Sequence, residues 1–167
     1  MPSLAKLLLA LAATATTLTL AAPTTAHDIT KRADYHPSPA TENDYCGEAV
    51  PRFLTDDASP LASDCAAIYK AHPGPGYWLV SPSETKANPD GWVRLGASGS
   101  CAFEVRLDQE EVVEYRFGTN DLGFYIKSHA TEGQGQDGRV EVRSGVWCNR
   151  HGYEGQRVGV VWRVVHA

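Results

Sequence analysis

The 167-residue sequence lacks the motifs of familiar catalysts. It contains no G-x-S-x-G, P-loop or H-E-x-x-H motif, no histidine pair at i, i+4 spacing and no Asn-x-Ser/Thr glycan acceptor. It also has no run of basic residues, although nucleic acids and anionic membranes are bound by clustered cations. We therefore expect no catalysis, no cofactor, no metal site and no nucleic-acid partner.

Long apolar runs are absent except at the N-terminus, which has the layout of a secretory signal peptide. Lys6 precedes the apolar stretch LLLALAATATTLTLAA, which is too short and Ala/Thr-rich to predict a stable membrane anchor. Thr24 and Ala26 are small residues suited to a cleavage site, which predicts a signal peptide over residues 1–26. A cut after Ala21 also fits the pattern.

A dibasic pair, Lys31-Arg32, follows the signal peptide. Such a pair is typical of the end of a propeptide, which would comprise residues 27–32. An ordinary solvated charge pair fits the sequence equally well. The mature chain would have 135 residues, with 12 basic and 19 acidic side chains and a net charge of −7. The polar, proline-bearing residues 33–44 predict a flexible lead-in, and residues 45–167 a single domain.

Four cysteines lie in that domain: Cys46, Cys65, Cys101 and Cys148. An even number behind a signal peptide indicates two disulfides and a secreted, extracellular protein, and their spacing does not resemble a zinc site. The residues alone leave all three pairings open.

Two helices are expected in this domain. The first is predicted to begin with Ser59 as N-cap and Pro60 at the first helical position, and to end at His72. The second is predicted to begin with Thr119 as N-cap and to end at Gly133.

Short segments rich in aromatic and β-branched residues predict the strands. They are Tyr77–Ser81, Trp92–Leu95, Cys101–Leu107, Val112–Phe117, Arg139–Arg143, Gly145–Cys148 and Val158–Val165. The last is almost entirely apolar and should be central. Short turns join most of them, so the expected fold class is α+β: an antiparallel sheet with two helices packed on one face and two disulfides.

Two loops, residues 82–91 and 149–157, are the segments we expect to present a binding surface. The binding candidates are Asp90, Trp92, Arg150, His151 and Tyr153. Of the four tryptophans, Trp92 stands beside a Pro-Asp-Gly turn and is the one expected to be exposed, as in a carbohydrate platform.

A small hydrolase is an alternative interpretation. Its acid or base would be His129 or the acidic turn containing Glu110 and Glu111. A histidine on the apolar side of a helix is more typical of a core residue, and acids on a tight turn are more typical of a solvated surface.

Several stretches together resemble the fungal necrosis-inducing factor family, the homologues of the secreted effector called extracellular protein two. They are FLTDDASPLASDCAAI, GYWLV, CAFEV, FGTNDLGFYI, GVWC and VVWRVVHA, and they extend from about Tyr45 to His166. The chain looks like a divergent member, because Pro75-Gly76-Tyr77 and Glu104 stand where the family tends to have glycines.

The resemblance implies a secreted fungal effector that acts by binding a host-plant or microbial protein or a cell-surface target, without catalysis. It also implies a fold related to killer toxins and the pairings Cys46–Cys101 and Cys65–Cys148. The alternatives are a killer-toxin-like antimicrobial protein, a small secreted hydrolase and a cell-wall glycan-binding module using Trp92.

Overall fold

A computed structural model describes residues 32–38, 43–109, 113–132 and 137–167. The signal peptide predicted over residues 1–26 lies outside the described residues, as does the predicted propeptide except for Arg32.

The strands form two antiparallel sheets rather than the single sheet expected. The larger has the order β2-β7-β8-β5-β4, made by β2 (Arg52–Phe53), β7 (Val142–Asn149), β8 (Arg157–His166), β5 (Cys101–Leu107) and β4 (Val93–Ser98). The smaller has the order β1-β3-β6, made by β1 (Asp34–Pro37), β3 (Gly76–Val80) and β6 (Tyr115–Gly118). The apolar β8 is central in the larger sheet, as its sequence predicts.

The helices are α1 (Ala62–Lys70), α2 (Pro82–Ala87) and α3 (Thr119–Tyr125), which continues as a π-helical segment, Ile126–Thr131. Both α1 and α3 cover the inner face of the larger sheet: Cys65 of α1 is bonded to Cys101 of β5, and Tyr125 of α3 stacks on Trp162 of β8 at 5.0 Å. The α+β class with two covering helices is confirmed.

Neither predicted N-cap is correct. The N-cap of α1 is Leu61, because the buried Ser59 hydroxyl is used in the preceding turn, where it accepts from the Asp56 backbone N–H at 2.8 Å. The N-cap of α3 is Gly118, and Thr119 is the first helical residue.

The helix α2 lies in the segment expected to be the 82–91 loop. Ser81 and Glu84 form a capping box around it: the Glu84 backbone N–H donates to the Ser81 hydroxyl, and the Ser81 backbone N–H donates to the Glu84 carboxylate at 2.7 Å. Pro82 occupies the first turn, where its missing N–H costs nothing.

Part of the predicted flexible lead-in is strand β1, paired with β3. Tyr35 packs against His72 at 4.6 Å and Trp78 at 5.2 Å between ring centroids. These contacts hold residues 34–37 against the smaller sheet.

The disulfides join Cys46 to Cys148 and Cys65 to Cys101. The pairing that the resemblance implied, Cys46–Cys101 and Cys65–Cys148, is therefore wrong. Cys46 and Cys148 face each other in an antiparallel bridge, with their Cα atoms 4.0 Å apart.

The second pairing follows from the contact between α1 and the turn before β5. The Asp64 carboxylate accepts hydrogen bonds from the Ser100 backbone N–H and hydroxyl, both at 2.8 Å. These bonds hold the first turn of α1 over the start of β5, which places Cys65 next to Cys101.

Candidate functional site

The loop from 149 to 157 joins β7 to β8 and carries three of the predicted binding residues. Its ends are closed by a hydrogen bond from the Arg150 backbone N–H to the Gln156 carbonyl at 3.0 Å. Gly152 and Gly155 have φ values of 75° and 74°, a backbone region that favours glycine. The loop therefore has a defined conformation directly after the Cys46–Cys148 disulfide.

Contacts from β6 and from the residue before it orient the loop surface. The Arg116 Nε–H of β6 donates to Nδ1 of His151 at 3.0 Å, and the His151 backbone N–H donates to the Glu114 carbonyl at 2.9 Å. With Nδ1 as acceptor, the proton of neutral His151 resides on Nε2.

Guanidinium groups stack on tyrosine rings around this loop. Arg150 lies 4.1 Å from the Tyr153 ring centroid, and Arg116 lies 5.0 Å from Tyr77 and 5.5 Å from Tyr45. Sequence reasoning missed Arg116 and the two tyrosines because they are distant along the chain and carry no local motif.

Together these groups line an open cavity of about 460 Å³, which we call the loop cavity. Its lining is Asp44, Tyr45, Arg116, Asn149, Arg150, Gly152, Tyr153, Glu154 and Gly155. Guanidinium donors beside the exposed Tyr153 ring suit a ligand with carboxylate, carbonyl or hydroxyl groups.

Trp92 is not the exposed tryptophan that its sequence context predicted: only 4% of it is exposed. Three guanidiniums surround its indole, those of Arg163, Arg106 and Arg143, at 4.0, 4.7 and 5.8 Å from the ring centroid. Trp147 is the exposed one, at 60%.

The exposure of Trp147 has a signal in the sequence. Alternate residues of a strand point to opposite faces, and a disulfide at Cys148 requires that residue to face the interior. Its neighbour Trp147 must then face outward.

Trp92 and Asp90 line a second cavity of about 620 Å³ between the α2–β4 connection and the outer face of the larger sheet. Asp90 pairs with Arg163 at 3.6 Å. The two groups of predicted residues lie at opposite ends of β8, since Arg157 pairs with Asn149 at one end and His166 with Cys101 at the other. The structure thus forms two separate surfaces.

Of the catalytic candidates, only His129 lies within the described residues. Glu110 and Glu111 lie outside the described residues. His129 stacks parallel to Trp162 and Tyr125, and its Nε2 is buried without a hydrogen-bond partner in the described part of the chain. Burial lowers the pKa of His129, as in a core histidine.

Asp121 is a buried carboxyl group in the first turn of α3. It accepts from the backbone N–H groups of Gly118, Tyr45 and Cys46 at 2.9, 2.9 and 3.1 Å. Burial, and a hydrogen bond with Asp44, raise its pKa to about 7. It borders a cavity of about 320 Å³ beside the Cys46–Cys148 disulfide.

Within the described ranges, no helix has the length and apolar character needed to cross a bilayer. No curated protein matches the chain. A family model does match over residues 45–148, which contain all four cysteines and most of both sheets: Hce2, described as “Pathogen effector; putative necrosis-inducing factor”. The chain therefore belongs to the Hce2 family of pathogen effectors.

Proposed function

We propose that this effector is secreted by a fungus and acts by binding a host-plant or microbial target through the loop cavity, without turnover. The observation that carries the proposal is the loop itself: a disulfide anchors its base, and Arg150 and Tyr153 are presented beside Arg116. Arginine and tyrosine are enriched among the residues that dominate binding energy at protein interfaces.

The rigidity of this surface supports binding rather than catalysis. Hydrogen bonds fix the backbone of Arg150 and His151, so little conformational entropy would be lost on association. Two side-chain hydrogen bonds also hold the loop: Arg116 Nε–H donates to His151 Nδ1 at 3.0 Å, and the Arg150 guanidinium donates to Gln156 Oε1 at 3.2 Å.

To test this, purified protein comprising residues 33–167 is infiltrated into leaves at a series of concentrations, and lesion formation is measured. The wild-type protein should cause lesions, and Arg150→Ala and Tyr153→Ala should each require about tenfold more protein for the same lesion, because each removes a contact at the centre of the surface. Lys86→Ala, an exposed change on α2, is the control and should match the wild type.

A parallel growth-inhibition assay on other fungi tests the antimicrobial alternative. Inhibition without any leaf response, lost in Arg150→Ala, would assign the target to competing microbes. No response in either assay would overturn the proposal. Turnover of glycans or RNA by the wild type, lost in His129→Ala, would overturn the absence of catalysis.

A further inference from the structure

The outer face of the larger sheet, opposite the helices, gathers arginines from four strands into one row. We call this set the arginine row; its members are Arg52, Arg143, Arg163 and Arg94, with Glu104 between the last two. In the register, Arg52 is directly opposite Arg143, and Arg143 is directly opposite Arg163. No run of basic residues in the sequence indicates this row, since its members come from different strands.

Like charges directly opposite on neighbouring strands destabilise a sheet. Glu104, which is buried, compensates Arg94 and Arg163, with ion-pair distances of 2.9 and 2.6 Å. Arg52 and Arg143 are exposed, and neither forms an ion pair with a carboxylate among the described residues. Of the two adjacent arginine pairs, the Arg143–Arg163 pair therefore has carboxylates at one member, and the Arg52–Arg143 pair has none among the described residues.

Aromatic surface accompanies these charges. The indole of Trp92 lies against the guanidiniums of Arg163 and Arg143, which limits their freedom of movement. Trp147 stands on the same side of β7 as Arg143, four positions further along the strand, and is 60% exposed. The face thus offers oriented cations and, about 13 Å further along β7, a flat, open apolar ring.

From this arrangement we infer that the outer face binds a linear acidic polysaccharide, a chain of sugar rings that carry carboxylates. A guanidinium pairs with a carboxylate through two parallel hydrogen bonds. Neighbouring strands are about 5 Å apart, so successive arginines can meet successive carboxylates of an extended chain. The exposed indole of Trp147 can stack on an uncharged part of a sugar ring.

Charge favours this ligand over nucleic acid or an anionic membrane. The protein has a net charge of −5 and a pI of about 5.6, whereas nucleic-acid-binding domains are typically basic. Duplex DNA carries one charge per about 1.7 Å, and such a dense polyanion would be repelled by Glu104, Asp90 and the acidic remainder of the surface. A sugar chain with one carboxylate per ring has a lower charge density than DNA, which matches the spacing of a few arginines better.

The site is separate from the loop cavity, and the inference does not depend on the proposed function. The test measures binding of residues 33–167 to polygalacturonate at low and moderate salt. The wild type should bind, and more weakly as salt increases. Arg143→Glu should weaken binding about tenfold or more, because an attraction is replaced by a repulsion. The same change should raise Tm, since the new carboxylate would stand between Arg52 and Arg163.

Lys127→Glu is the matched control: it reverses an exposed cation on the π-helical segment, which covers the opposite face of the sheet, and should leave polygalacturonate affinity unchanged. The fully methyl-esterified polymer, which lacks the charges, should not bind. If Arg143→Glu did not fold, Arg143→Gln would serve, with a smaller loss of affinity. The inference would be overturned if the wild-type protein did not bind polygalacturonate, bound the neutral polymer equally well, or bound duplex DNA or phosphatidylserine vesicles more tightly. It would also be overturned if Arg143→Glu bound polygalacturonate with the wild-type affinity.

Discussion

Asp121 is a buried carboxyl group that accepts hydrogen bonds from three backbone amides and lies beside a second acid, Asp44. The amides favour the carboxylate, but burial dominates and raises the pKa from the usual 3.8 to about 7. Because the folded pKa lies above the unfolded one, folding takes up a proton between these two values. The stability from this group is full in acid and is lost as the pH rises through about 7.

A measurable pH dependence follows at this residue. Between pH 5 and pH 7.5 the contribution of Asp121 to the free energy of unfolding should fall by about 2 kcal/mol. The lowered pKa values of His72 and His129 act in the opposite direction and are present in both proteins, so the change in the wild type minus the change in Asp121→Asn, which cannot titrate, isolates this fall. Urea titrations at the two pH values measure both slopes.

Asp64→Asn is the control for that experiment. Hydrogen bonds from Ser100 lower the pKa of Asp64, so its contribution is present above its unfolded pKa and is lost only at lower pH. The slope between pH 5 and pH 7.5 should therefore remain in Asp64→Asn. A slope in Asp121→Asn equal to that of the wild type would show that another group carries the dependence.

At the scale of elements, the two disulfides constrain different parts of the chain. The Cys65–Cys101 bond joins α1 to β5 across 36 positions, and the Cys46–Cys148 bond spans 102. A disulfide stabilises mainly by restricting the unfolded chain, and the restriction grows with the length of the loop. The longer loop should therefore matter more.

Replacing each pair by alanine tests this ranking. Loss of the Cys65–Cys101 bond should cost about 4 kcal/mol of unfolding free energy, and loss of the Cys46–Cys148 bond about 5 kcal/mol. Denaturant unfolding measures the costs, and peptide mapping without reduction verifies the pairing. A reversed order would mean that the packing of α1 on β5 outweighs chain entropy.

Local patterns predicted some elements and missed others for identifiable reasons. The alternation in Cys101–Leu107 and the apolar character of the last strand correctly predicted β5 and central β8. The position of α1 was close, but its cap was wrong because Asp56 engages the Ser59 hydroxyl. The pairing of cysteines depends on which turn docks on which helix, and no local pattern encodes that contact.

At the scale of the whole molecule, the sequence shows the net charge but not where the charges lie on the surface. The net charge of −5 is read directly from the composition. The arginine row arises from the strand order β2-β7-β8-β5-β4, which brings together residues more than forty positions apart, such as Arg52 and Arg94. Strand order and register are tertiary properties, so the candidate surface could be found only in three dimensions.

The extent of the folded unit is another property of the whole molecule. The family match begins at residue 45, yet β1 pairs with β3 and its Tyr35 ring contacts Trp78, which is 1% exposed. Removing residues 33–42 would uncover one side of β3 and part of this indole. The folded domain should therefore include the segment that follows the dibasic pair.

A truncated chain of residues 43–167 tests this extent against residues 33–167. The shorter chain should lose about 2 kcal/mol of unfolding free energy, because the contact area of Tyr35 and the pairing of β1 are gone. Tyr35→Ala in the longer chain should reproduce part of the loss, which separates ring packing from strand pairing. Equal urea midpoints for the two chains would mean that β1 adds nothing, and that the domain begins at the cysteine-bridged segment.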